Sequence, residues 1–121
     1  MLLNDFYTIT TQDHQQGSLK ASISINKQHR IFEGHFPGHP VVPGVCMMQI
    51  VREVMEQSTG KTLRVARAPM MKFLTIINPE QNNQVEVSVT YTEKDNGLDL
   101  NATLFSGETI YFKLKSTLQT A

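Results

Sequence analysis

At 121 residues the chain can bury one modest core and is too short for two ordinary domains, so a single domain over residues 1–121 is expected. Its 11 Lys and Arg balance 11 Asp and Glu, and no run of basic residues forms a stripe, which points away from nucleic acid and from an anionic membrane as partners. Cys46 stands alone, which excludes an intramolecular disulfide or a thiolate metal cluster; the opening Met1-Leu2-Leu3-Asn4-Asp5 lacks the basic and apolar regions of a leader, and a cytoplasmic protein is expected.

In chain order, Leu19, Ala21, Ile23 and Ile25 alternate with polar residues, the period-two pattern of a half-buried strand over residues 18–26. The segment Gly34-His35-Phe36-Pro37-Gly38-His39-Pro40-Val41-Val42-Pro43-Gly44-Val45 follows. Its prolines each fix a dihedral and restrict the preceding residue, and its glycines permit tight turns, so His35 is held in place. From Gly44 to Gln57 the apolar period becomes helical, with Arg52 and Glu56 on the solvent face and Gly60 as a left-handed stop. A held histidine beside a helix start, whose free N–H groups can polarise a carbonyl, is a layout suited to acyl-thioester chemistry.

Beyond the helix every segment is β-leaning. Thr62 to Arg67 and Pro69 to Ile77 read as strands broken at Pro69, with a turn at Asn78-Pro79-Glu80. Val85 to Tyr91 and Leu98 to Leu104 alternate on either side of an Asp95-Asn96-Gly97 hairpin turn; Ile110, Phe112 and Leu114 form a last strand, with a frayed tail after Ser116. One long helix with several antiparallel strands is an α+β layer architecture. An open sheet edge and a partly uncovered apolar helix predict a dimer at minimum.

The run from Gly34 to Gly38 and then from Pro40 to Val45, supported by Lys72-Phe73-Leu74, Asn78-Pro79-Glu80 and Gly107-Glu108, closely resembles the β-hydroxyacyl-[acyl-carrier-protein] dehydratases. The resemblance extends from about Leu19 to Lys115. It implies the hotdog fold, an antiparallel sheet wrapped round one central helix. It also implies a hydro-lyase of fatty-acid or polyene-type metabolism that converts a 3-hydroxyacyl thioester to the trans-2-enoyl thioester. The substrate would arrive on the phosphopantetheine of an acyl carrier protein, and no cofactor would be needed. The site would lie between the chains of a homodimer or a mixed dimer. His35 would take the α-proton, oriented by the Val41 carbonyl, while the Gly44 N–H would hold the enolate oxygen and Phe36 and Val45 would contact substrate.

The family's helix has an acid followed four residues later by Gln, whereas here Gln49 comes first and Glu53 second. The step keeps both on one face but moves the carboxylate ~6 Å along the axis, beyond direct proton transfer without a water relay. Gln49 can hold a hydroxyl but cannot protonate it. Three readings therefore stand. The chain is a dehydratase using His35, Gln49 and Glu53; or a non-catalytic or half-catalytic subunit of a mixed dimer; or an acyl thioesterase.

Structural alternatives accompany each residue. His39 sits four residues after His35, but the intervening prolines bar the helix that would align a metal pair, so a mouth residue is expected and no metal site. Cys46 is expected as core filler, and the Met47-Met48, Met55 and Met70-Met71 groups as core or tunnel wall. Glu53 could instead pair with Arg64 or Arg67. Tyr91, Tyr111 and Phe112 receive no ligand role, and His14 and His29 are expected at the surface.

Overall fold

The computed structural model describes residues 1–34 and 40–121; His35, Phe36 and His39 lie outside the described residues. In chain order the elements are β1 (Tyr7–Gln15), β2 (Ser18–Ile25), α1 (Ile31–Gly34), α2 (Gly44–Thr59), β3 (Leu63–Phe73), β4 (Gln84–Lys94), β5 (Gly97–Ser106) and β6 (Thr109–Thr120). The strands form one sheet in the order β1-β2-β4-β5-β6-β3, antiparallel at every pairing. That sheet wraps round α2.

The alternating segments become the core-facing strands. Ile23 and Ile25 of β2, Val85 and Val87 of β4, Leu100 and Leu104 of β5, and Phe112 and Leu114 of β6 are all at most 2% exposed. Against them α2 presents Met47, Ile50, Val51, Val54 and Met55. The helix runs two residues past its expected end and stops at Gly60, whose left-handed φ of 71° lets its N–H donate to the Glu56 carbonyl. Arg52 and Glu56 do more than face solvent. They pair at 3.1 Å, and Glu56 also accepts from the Leu63 N–H, tying the helix end to the start of β3.

Several expectations are corrected. Residues 7–15 form a strand with no alternating apolar face, because β1 is a sheet edge exposed along most of its length. Pro69 does not divide two strands: β3 runs through it, absorbing the irregularity as register shifts between Val65 and Arg67 and between Arg67 and Met70. Ser116 supports that distortion, its buried hydroxyl donating to the Arg67 carbonyl at 2.6 Å. The tail after Ser116 is not frayed, since β6 continues to Thr120 with Leu118 opposite Val65 and Leu98. Met71 is 47% exposed and so is not core.

The Asn96-Gly97 turn forms as the sequence predicts, and a second constraint explains the glycine. A Cβ at Gly97 would lie 1.9 Å from the Leu118 carbonyl oxygen, so no other residue fits without moving β6. Among the described residues no helix is long and apolar enough to cross a membrane.

Candidate active site

Pro43, with φ −61° and ψ 146°, turns the chain into α2 without a side-chain cap. Its carbonyl receives the N–H groups of Cys46 and Met47, while those of Gly44 and Val45 meet no acceptor among the described residues. Upstream, the Val42 N–H donates to the Ile77 carbonyl at 3.0 Å, anchoring the approach to the helix against the segment that follows β3. The helix start therefore offers fixed donors, the requirement for an oxyanion hole.

Gly44 borders a cleft of about 400 Å³ lined also by Val42, Met47 and the run Phe73-Leu74-Thr75-Ile76. Phe73 stacks on the buried Phe112, centroids 5.0 Å apart, and its ring edge overlies Gly44. A Cβ at Gly44 would lie 2.7 Å from that ring. Only glycine leaves both the aromatic wall and the N–H where they are. Val45 is 74% exposed and does not line this cleft in the isolated chain. The walls are mainly apolar, with Thr75 adding a hydroxyl, a composition suited to an acyl chain whose thioester end needs orienting.

Further along α2, Gln49 and Glu53 lie about 7 and 13 Å from Gly44 along the axis. Neither lines this cleft in the isolated chain. Glu53 is fully buried. It accepts from the Leu2 N–H (2.9 Å), the Leu3 N–H (2.8 Å), the Tyr7 hydroxyl (3.1 Å) and the Gln49 side-chain amide (2.7 Å). Burial by itself pushes its carboxyl up, but these donors together outweigh that and hold it below the usual carboxylate range. The same contact acts oppositely on Tyr7: burial and then the Glu53 charge raise its phenol far above the ordinary value. Glu53 is thus ionised, with its oxygens occupied by donors.

The expected cation partners of Glu53 are replaced. Arg52 approaches it at 3.9 Å, while Arg64 instead donates to Gln119 on β6. Because an ionised carboxylate only accepts, Gln49 must present its NH₂ to Glu53, which turns its carbonyl Oε1 away. The Gln49 amide therefore offers an acceptor away from Glu53.

Cys46 is 4% exposed, and its thiol is pushed up by burial and then by the Glu53 charge, which suits core packing rather than a reactive thiolate. His14 is exposed, as expected, and meets the Tyr91 hydroxyl at 2.6 Å. His29 is more covered than expected for a surface residue: its side chain is 10% exposed, packs edge-on to Phe6, accepts the Ile31 N–H and reaches the exposed Asp5 at 3.1 Å. Sequence reasoning missed Tyr7 and the backbone of Leu2 and Leu3, since nothing in their neighbourhood in the chain points to a carboxylate some fifty residues away. It also missed the cleft wall at Leu74 and Ile76, although a mainly apolar run from Phe73 to Ile77, interrupted by Thr75, is visible.

An antiparallel sheet round one long helix, with a cleft at the helix amino terminus, defines a hotdog-fold protein. A family model described as ApeI-like, ApeI dehydratase, matches residues 11–111, and the chain belongs to that dehydratase family. It is similar to 3-hydroxyacyl-[acyl-carrier-protein] dehydratase FabZ of Ligilactobacillus salivarius, 28% identical over 86 residues, or 65% of this chain and 60% of that protein. FabZ of Fusobacterium nucleatum is 27% identical over 92 residues, covering 72% of this chain and 65% of the relative. The chain thus spans less than two thirds of the length of these curated relatives. Among solved structures, a chain of the dehydratase heterocomplex ApeI:P from Xenorhabdus doucetiae superposes with a TM-score of 0.74, covering 92% of this chain and 96% of that one. At 20% identity that likeness carries the fold.

Proposed function

We propose that this chain is the half-catalytic subunit of a mixed hotdog dimer that dehydrates 3-hydroxyacyl thioesters carried on an acyl carrier protein. The observation that carries the reading is the Gln49–Glu53 contact at 2.7 Å: the acid position holds an amide, and the neighbouring carboxylate is buried, ionised and occupied by Leu2, Leu3 and Tyr7. On this helix no group is in a state to protonate a leaving hydroxyl. Family membership and the heterocomplex of the structurally similar dehydratase support a partner chain that supplies it.

In the productive site, His35 of this chain removes the α-proton and the Gly44 N–H stabilises the charge that builds on the thioester oxygen. The Cβ–O bond breaks as a carboxylic acid of the partner chain protonates the departing hydroxyl. The products are the trans-2-enoyl thioester and water. Phe36 and Val45 flank the acyl chain, and the reaction involves no redox step and no cofactor. The opposite site, built round Gln49, has no acid and does not turn over.

Mass spectrometry of 3-hydroxyacyl-carrier protein tests this. The chain alone is expected to leave the substrate unchanged, and co-expression with a carboxylate-bearing hotdog homologue to yield the product 18 Da lighter, by about the mass of one water. His35→Ala should abolish that gain. Turnover by the isolated chain would overturn the mixed-dimer reading in favour of a stand-alone dehydratase, and release of free thiol without an enoyl product would favour a thioesterase.

A further inference from the structure

The β3 edge of the sheet is an incomplete interface with two unlike faces. On the core side, Val65, Met71 and Phe73 sit opposite Leu118, Leu114 and Phe112 of β6. Those three β6 residues are buried at 1%, 2% and 0%, whereas their β3 neighbours are 37%, 47% and 55% exposed. Cover over the apolar layer thus ends one strand short of the edge, and Leu74 and Ile76 continue the uncovered surface. Contiguous apolar surface of this kind marks a contact site.

On the outer side the register gathers charges that are scattered in the sequence. Arg64, Arg67 and Lys72 of β3 lie opposite Gln119, Thr117 and Lys113 of β6, and Lys115 lies opposite Met70. Neither strand contains an Asp or Glu. Among the described residues none of these five cations forms an ion pair, and the nearby Asp99 of β5 is engaged by Lys94 at 2.9 Å and by Thr117. The chain carries no net charge, yet this corner holds five cations against the single nearby acid Asp99.

Together the two faces discriminate between partners. The apolar underside calls for cover and the open strand for pairing, but a second copy is a poor match. A twofold axis at Ala68, the middle of β3, sets Arg64 of each copy opposite Lys72 of the other, and like charges directly across a pairing repel. Pro69 lacks a donor, and the two register shifts distort the edge further. We propose that β3 is a charge-selective edge that disfavours self-pairing and accepts a different hotdog chain whose edge strand carries carboxylates outward and apolar residues inward. The choice of a hotdog chain as occupant rests on the mixed-dimer reading above; the charge selection rests on β3 and β6.

A charge-swapped copy of this chain serves as the acidic-edge probe. R64E/R67E/K72E is mixed with wild type, and association is followed by sedimentation velocity at about 0.01 M and about 1 M NaCl, where the Debye length is roughly 30 and 3 Å. At low salt the mixed species should form at least ~10-fold more tightly than the wild-type homodimer, and high salt should narrow the gap. The neutral variant R64Q/R67Q/K72Q, checked for folding by circular dichroism, should self-associate more strongly than wild type, which keeps the proposal testable if the acidic variant misfolds. Equal wild-type self-association and mixed association at low salt would overturn it. So would binding of anionic lipid vesicles or of holo acyl carrier protein that is lost in the neutral variant while no mixed dimer is preferred, since the stripe would then serve a membrane or the carrier. Preferred pairing without dehydration in the assay above removes only the catalytic reading; dehydration by a mixed dimer indifferent to these charges removes only this one.

Discussion

Two stretches of the same helix are prepared in opposite ways. At its amino end, the N–H groups of Gly44 and Val45 meet no acceptor among the described residues, Gly44 borders an open apolar cleft, and the wall above it is a ring whose face is half solvent-exposed. Two and a half turns later, Glu53 is fully buried and surrounded by donors. Chemistry requires groups that substrate can claim, and stability requires groups that are already claimed. The helix start is thus left available to a substrate, while its middle is committed to the fold.

The largest test of that division is Glu53→Gln. It sets an NH₂ against buried donors and removes charge-assisted hydrogen bonds, so urea unfolding at neutral pH should show a loss of about 3 kcal/mol. If Glu53 were instead a catalytic acid, stability would barely change. The sign of the pH dependence follows from its lowered folded-state pKa. Its contribution is present above the unfolded value of about 4.3 and is lost as pH falls through the folded value. Melting temperatures of wild type and Glu53→Gln should therefore converge in acid.

Next in size is Gln49→Glu. A second carboxylate 2.7 Å from the first cannot also ionise cheaply, so the pair should retain a proton with one raised pKa. That stabilises the fold below the unfolded pKa and is lost as pH rises: a deficit of about 2 kcal/mol at pH ~8 should shrink toward pH ~5. The double variant Gln49→Glu/Glu53→Gln should lose this pH dependence while keeping most of the Glu53→Gln deficit, because Leu2, Leu3 and Tyr7 still face an amide; a pH-independent single variant would show that the two side chains do not meet.

Tyr7→Phe removes one of the four donors and should cost about 1.5 kcal/mol by the same unfolding measurement. Smallest in stability is Gly44→Ala, within about 1 kcal/mol because the exposed Phe73 ring can swing aside, yet it should lower dehydration by the assembled enzyme at least ~10-fold. A Gly44→Ala variant as unstable as Glu53→Gln, with unchanged turnover, would erase the distinction between the two regions.

Alternation made β2, β4, β5 and most of β6 legible, because each has one face in the core, and Pro43-Gly44 and Gly60 marked the ends of α2. Strand β1 was hidden because an edge exposed on both faces carries no periodic signal, and the end of β6 because its inward Ser116 is polar and finds its acceptor at a distortion in β3. The sequence also showed no basic stripe, since Arg64, Arg67 and Lys72 meet Lys113 and Lys115 only through the β3–β6 register. At the site, the placing of Gln49 and Glu53 on one helix face was plain from spacing, but the use made of Glu53 was not: two of its partners are peptide N–H groups, which any residue but proline supplies.

The docking of Leu2 and Leu3 on Glu53 also bears on the order of assembly. During synthesis Leu2 and Leu3 leave the ribosome about fifty residues before their acceptor, which lies on a helix that must itself find the sheet. Until then the carboxylate remains hydrated, and burying it early would be unfavourable. The start of this chain is therefore expected to be among its last parts to settle, closing over the helix once the sheet has formed.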